Sequence, residues 1–306
     1  MTFPHPEAPR FDRAPRADRM FEYAQFDATE VAAAKGATTI TVAIPARDEA
    51  DTIGPIVTLI RERLMEDAAV VDELLVIDDL SGDDTARLAE KAGATVFSSA
   101  EILDEHGSGG KGEALWKSLH VANGDLITWC DADIRNFDER FILGCVGPMV
   151  LNADIGFVKG FYRRPLNADG EGGGRVTELM ARPLIAALFP HLDHLLQPLS
   201  GEFGGRRELL SQVPFHRGYA VDLGLLIDLT ARFGSDIVAQ VDLGSRVHRN
   251  RPLRQLGPQA SAILAMALGR AGLASTEGPL VLRRPEFGDA EITVGELPPL
   301  ADLGSD

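Results

Sequence analysis

The sequence predicts an α/β fold with a mostly parallel central sheet covered by helices on both faces. Between residues 39 and 130, short continuous apolar runs alternate with helical stretches, and the runs lack the polar alternation of a sheet that faces water. Each run also gives way to polar residues. Ligands of open α/β sheets sit beyond the carboxyl ends of the strands, so those junctions are the first place to look for chemistry.

The elements follow in chain order. Asp27 and Glu30 have capping-box spacing and Gly36 is a stop, which predicts a helix over 27–35. A β-branched strand at 39–44 precedes a helix over 52–64, where Ile53, Ile56, Val57, Ile60 and Leu64 fall on one stripe. Next come a strand at 74–77, a helix at 84–92, a strand at 94–98, a helix at 113–121 and a buried strand at 126–130. Beyond Cys130 the pattern loosens: a strand at 155–162, a Gly-rich loop, a helix over 176–189, a loop through QPLSGEF, a helical stretch at 206–213, a strand at 237–241 and a closing helix at 259–273. Residues 1–26 read as a Pro- and Arg-rich tail. Residues 276–306 read as an acidic tail, because 285–306 hold six acids and no base. The chain between them divides into halves at 27–150 and 151–275, with no clear linker.

A chain of 306 residues, 45% hydrophobic, can bury a sizeable core. Its net charge of −16 argues against general nucleic-acid binding and against attachment to an anionic membrane, so an anionic substrate would need a local basic pocket. Cys130 and Cys145 sit in apolar settings and read as small buried hydrophobes. With neither a signal-peptide apolar region nor a long apolar span, the expected location is cytoplasmic.

The loop after the first strand reads PARDEAD, which lacks the glycines that bring backbone onto a dinucleotide pyrophosphate. GSGGKGEALW, at 107–116, resembles a nucleotide-triphosphate loop but has Glu105 where the first glycine belongs and Gly112 where Ser or Thr would hold magnesium. What remains is Lys111 near a helix N-terminus, a plausible phosphate contact beside the plainer reading of a surface loop. In DLITWCDAD, Asp131 and Asp133 on one extended face lie only about 7 Å apart, so a positive charge belongs between them. GEGGGRVTEL offers converging amides, Arg175 and the helix opening at Thr177 to a phosphate or carboxylate. RVHRNRPLR concentrates four arginines and His248, giving anion donors and a metal ligand. Together these suit transfer of a group from a diphosphate leaving group held by a hard divalent cation.

VAIPARDEADTI, LLVIDDLSGDDT and TWCDADI, in this order, resemble the nucleotide-binding half of a GT-A glycosyltransferase. GKGEALWKSL, FVKGFYRRPL, GGGRVTEL, QPLSGEF, GLLID and VHRNRPL resemble more narrowly the glucosyl-3-phosphoglycerate synthases and their mannosyl counterparts, over roughly residues 38–270. The resemblance implies the GT-A fold with a smaller C-terminal acceptor-binding part, and a homodimer. It implies retaining transfer of glucose from a nucleoside diphosphate sugar to the 2-hydroxyl of D-3-phosphoglycerate, with Mg2+ (or Mn2+ or Co2+).

By the same resemblance, Pro45, Ala46, Arg47, Glu49 and Ser81 line the nucleotide pocket, with Asp78 or Asp79 near the base. Lys111, Asp131, Ala132 and Arg246 complete the donor side, Asp133 and His248 hold the metal, and Asp222 and the backbone at Leu199 face the sugar. Gly174, Arg175, Val176, Thr177 and Asn250, with Arg163 or Arg164, take phosphoglycerate. Asp48 stands where the family has asparagine, and GYAVD replaces GYGVE, which makes Asp222 one methylene shorter than the usual glutamate. The remaining alternatives are a mannosyl transferase using GDP-mannose and a sugar-nucleotide pyrophosphorylase, although PARDEAD lacks the latter's Gly-rich loop. A metal-dependent adhesion module on DLSGD fails at Asp83.

Overall fold

The computed structural model describes residues 19–164, 174–247, 252–274 and 279–303. Its elements run β1 (Met20–Glu22), α1 (Ala28–Lys35), β2 (Ile40–Ala46), α2 (Ile53–Leu59), β3 (Glu73–Asp78), α3 (Thr85–Ala92), β4 (Thr95–Ser98), α4 (Lys111–Val121) and β5 (Leu126–Trp129). They continue as α5 (Arg140–Leu151), β6 (Phe157–Arg163), α6 (Arg182–Leu188), β7 (Phe203–Arg206), α7 (Arg207–Leu210), β8 (Phe215–His216), α8 (Val221–Phe233), β9 (Val238–Ser245) and α9 (Leu253–Arg270), and close with β10 (Leu280–Leu282), β11 (Ala290–Ile292) and β12 (Glu296–Leu297).

Among the described residues, eight strands form one sheet in the order β1-β9-β6-β7-β5-β2-β3-β4. Every pairing is parallel except those of β7, which runs antiparallel to both β5 and β6. Strands from both halves of the chain thus share one sheet. Side chains alternate between its faces as the pleat requires. Val42, Ile44, Leu126 and Val158 join α1, α2, α3 and α5 in one core, while Ala43, Leu75, Ile127, Trp129 and Phe157 join α4, α6, α8 and α9 in the other.

The first half matches the sequence reading closely. Asp27 caps α1 by accepting from the amides of Thr29 and Glu30. The stripe predicted over 52–64 is one helix whose second part, Ile60–Asp67, widens to π register. Elsewhere the readings need correction. The helical stretch at 206–213 is helical only over Arg207–Leu210, a single turn, and the strand β7 (Phe203–Arg206) that leads into it falls on the end of the expected QPLSGEF loop. Helices α5 and α8 occupy segments where no element was assigned. Both ends are anchored where tails were expected: β1 pairs with β9 at the start, β12 pairs with β8 at the finish, and Trp116 Nε1 donates to Pro298 O at 2.8 Å. Leu297 is fully buried, and that apolar contact outweighs the acidic composition around it.

Candidate active site

The ends of β2 and β3 are tied together by their own loops. Asp48 takes a left-handed backbone (φ 55°), its amide donates to Ser81 Oγ at 3.0 Å, and its carboxylate accepts from the Gly82 amide at 2.8 Å. The Glu49 amide donates to Thr85 Oγ1 at 2.8 Å, and the Ser81 amide donates to Asp78 Oδ2 at 3.3 Å. Asp48 therefore works as a loop brace, a role its short polar side chain and tolerance of positive φ both suit. Asp79 is buried. Its Oδ1 accepts from Ser99 Oγ at 3.2 Å and from the Gly109 amide at 3.0 Å, and Arg47 stands 3.7 Å from Oδ2. Burial raises the Asp79 carboxyl above its ordinary range, and the Ser99 hydrogen bond and Arg47 only partly offset it. Pro45 and Ala46 end β2 directly beneath this loop pair.

At the end of β5 the chain leaves the strand at Trp129 and turns through Asp131, Ala132 and Asp133. A Cβ at Gly201 would lie 2.1 Å from Asp131 Oδ2, so a residue without a side chain is needed to seat that carboxylate. The positive charge that the two acids call for is Arg246. Its Nη2 donates to Asp131 Oδ2 at 2.9 Å and to Asp133 Oδ1 at 2.6 Å, and its Nη1 lies 3.4 Å from Glu202. Lys111, at the start of α4, stands 3.3 Å from Asp131 Oδ1 and 3.1 Å from Asp222 Oδ1. Gly112 serves packing: a Cβ there would meet His216 O at 1.9 Å.

Below this layer lie charges that the sequence reading missed. Lys159 on β6 is buried 3.9 Å from Asp222, and Glu202 is fully buried at the entry to β7. Burial, aided by the neighbouring Lys111 and opposed by Asp222, brings the Lys159 ammonium down to about 8. Burial likewise pushes Glu202 up, against the pull of Arg246. Burial disfavours charge on Asp131 too, yet Lys111 and Arg246 outweigh it and hold that carboxyl well below its usual range. The reverse pairing keeps Lys111 charged: Asp131 and Asp222 more than cancel its burial. The available signal was a charge placed inside the apolar runs FVKGF and SGEF, but its partner could not be read from sequence.

A cavity of about 630 Å³ adjoins the far side of the cluster and is lined by Tyr162, Arg163, Arg164, Gly174 and Thr177, among others. Gly174 (φ 73°) turns the chain into the helix that opens at Thr177. Arg175 and Val176 instead line a neighbouring, mostly apolar groove with Leu253 and Phe287, so the structure splits the predicted anion motif between two depressions. Leu199 packs, partly buried, on the second core just before Gly201. His248 and Asn250 lie outside the described residues. Asp131 and Asp133 are partly exposed and carry oxygen donors of the kind a hard divalent cation takes, so they fit such an ion, with Arg246 now on the oxygens it would use.

Residues 41–208 of this α/β fold match the family described as glycosyl transferase family 2. The chain belongs to that family. It is 46% identical over 265 residues to the glucosyl-3-phosphoglycerate synthase of Mycolicibacterium paratuberculosis, covering 84% of this chain and 80% of the relative. It also superposes on crystal structures of the Mycobacterium tuberculosis glucosyl-3-phosphoglycerate synthase. One, in complex with Mn2+, UDP-glucose and phosphoglyceric acid, gives a TM-score of 0.82 at 41% identity over 91% of this chain and 96% of the other. Another, in complex with Mg2+ and UDP, gives 0.84 at 40% over 94% and 100%.

Proposed function

We propose that the chain is a metal-dependent glucosyltransferase that moves glucose from UDP-glucose to the 2-hydroxyl of D-3-phosphoglycerate, with retention at the anomeric carbon. The observation that carries this reading is the juxtaposition of the Asp131–Asp133–Arg246–Lys111 cluster with a cavity walled by Arg163, Arg164 and Thr177. The first can take a diphosphate and its cation; the second can take a small phosphorylated acid. The relatives' bound UDP-glucose and phosphoglyceric acid support the same pair of substrates, and glucose over mannose.

On this reading the nucleoside lies along the ends of β2 and β3, against Pro45, Ala46, Arg47, Glu49, Asp78, Asp79 and Ser81. The acceptor lies on the opposite side of β5. Asp133, with His248, would hold Mg2+ or Mn2+, which neutralises diphosphate charge as the bond to glucose breaks. Lys111 donates to the same oxygens, and Arg246 balances the carboxylates beside them. Asp222, its charge countered by Lys111 and Lys159, is a weak nucleophile and serves to orient the sugar. The acceptor hydroxyl therefore attacks the anomeric carbon from the face the diphosphate leaves, and its proton passes to a diphosphate oxygen. Positioning and preorganised charge carry the rate.

Purified protein is to be assayed with 3-phosphoglycerate, Mg2+ and, in turn, UDP-, GDP- and ADP-glucose and GDP-mannose. Product with UDP-glucose is the expected result, and no product with any donor overturns the reading. No helix among the described residues is long and apolar enough to cross a membrane. Cytoplasmic location and homodimeric assembly belong to the same proposal, tested by cell fractionation and light scattering.

A further inference from the structure

Tyr162, buried on β6, lies between two guanidinium groups. Its hydroxyl accepts from Arg246 Nη1 at 2.7 Å and from Arg164 Nη2 at 2.9 Å, which uses both acceptor positions of a phenol. Arg246 spends its other terminal nitrogen on Asp131 and Asp133. Arg164 stands on the wall of the 630 Å³ cavity; its Nε is buried without a hydrogen bond, and the Glu202 carboxylate acts on it from beyond ion-pair distance. One hydroxyl thus joins a cation that faces the acceptor cavity to the cation that occupies the carboxylates of the donor site.

We infer that Tyr162 is a positioning residue that couples anion binding in the acceptor cavity to release of Asp133 for a divalent cation. The inference rests on the transferase reading above. Arg164 and Arg246 repel each other while they share one oxygen. An anion in the cavity draws the Arg164 N–H away from that oxygen and makes it a better acceptor for Arg246. Arg246 then shifts its weight toward Tyr162 and toward Glu202, 3.4 Å from Nη1, and loosens its hold on Asp133 Oδ1. That same oxygen is a ligand a hard cation would take, so guanidinium and cation compete for it. By linkage, metal with nucleotide strengthens anion binding by the same factor.

The test measures the dissociation constant of UDP, with saturating Mg2+, by calorimetry with and without saturating 3-phosphoglycerate. In the wild type the acceptor is expected to tighten UDP by about five-fold or more, the lower end of ordinary allosteric coupling. In Tyr162→Phe, which keeps the ring and deletes the hydroxyl, the effect is expected to fall below about two-fold while cooperative melting is retained. Arg164→Met breaks the other side of the junction, is expected to do the same, and decides the matter if Tyr162→Phe does not fold. A wild type without coupling, or variants that keep it, overturns the inference. If that wild type still glucosylates 3-phosphoglycerate, the functional reading stands; if it makes no product with any donor, that reading fails as well.

Discussion

A single nitrogen of Arg246 bridges Asp133 and Asp131, at 2.6 and 2.9 Å, so two acids separated by one residue share one internal cation. Arg246 is buried and also faces Glu202. Replacing it with Met leaves Asp133 and Glu202 without their ion-pair partner and Asp131 with Lys111 alone, at a cost of about 3–5 kcal/mol for breaking a buried charged network. Thermal melting is expected to show that loss. Added Mg2+ is expected to raise the melting temperature of Arg246→Met more than that of the wild type, because it replaces the missing charge; equal shifts would count against the shared site.

Asp133→Ala removes the carboxylate proposed to hold the cation without opening the core, since the side chain is partly exposed. The expected result is a loss of at least about a hundred-fold in kcat for glucose transfer, the scale of removing one group that stabilises a leaving group. Chelation with EDTA is expected to abolish transfer in the wild type, and Mg2+ or Mn2+ to restore it. Near-full activity of Asp133→Ala with Mg2+ present would falsify the assignment.

Two glycines separate activity from stability. A Cβ at Gly201 meets the Asp131 carboxylate at 2.1 Å, which must swing aside, so Gly201→Ala is expected to lower kcat by about ten-fold or more with a modest effect on melting. A Cβ at Gly112 meets backbone, His216 O at 1.9 Å, which cannot swing aside; Gly112→Ala is expected to destabilise by about 1–3 kcal/mol. Activity and melting measured on both variants check the contrast, and a reversed order rejects it.

Lys159 supplies a pH dependence. Its folded value of about 8 lies below the ordinary 10.5, so between them the native state binds fewer protons than the unfolded one. Stability tied to this residue therefore rises with pH across that window, and below about 8 the full cost of the buried charge is present. Activity moves the other way, because the neutral amine no longer balances Asp222. In the free enzyme, kcat/KM for UDP-glucose is expected to fall on the alkaline side with a midpoint near 8. Lys159→Met is expected to have a lower plateau without that limb; the same limb in both proteins assigns it elsewhere.

Much of the first half was legible because each of its elements carries a local signal: β-branched strands, a capped helix, a single apolar stripe. The misses have physical causes. Helix α5 reads RFILGCVGPMVL, apolar on every side because it is buried, and its glycines look like breakers. They are instead places where a Cβ would strike Leu243 or Phe26. Strand β7 holds Gly204 and Gly205, poor strand formers by propensity, which fit because Ile127, Thr128 and Leu210 fill the space a side chain would take. The composition of the C-terminal segment suggested a tail, and only the partner strand β8 and Trp116 show that it is held in place.

The sequence by itself determined the fold class and, through long ordered motifs, the family, and it pointed to the sheet rim for the candidate site. Those are properties of local periodicity and of runs of adjacent residues. It also showed that Asp131 and Asp133 need a nearby cation. Only the tertiary structure decided which one: Arg246 comes from the end of β9 and Lys111 from the start of α4, with Lys159 of β6 and the acid Glu202, at the entry to β7, buried beside them. Pairing among residues so far apart in the chain is fixed by strand order and packing, and a one-dimensional pattern does not record it.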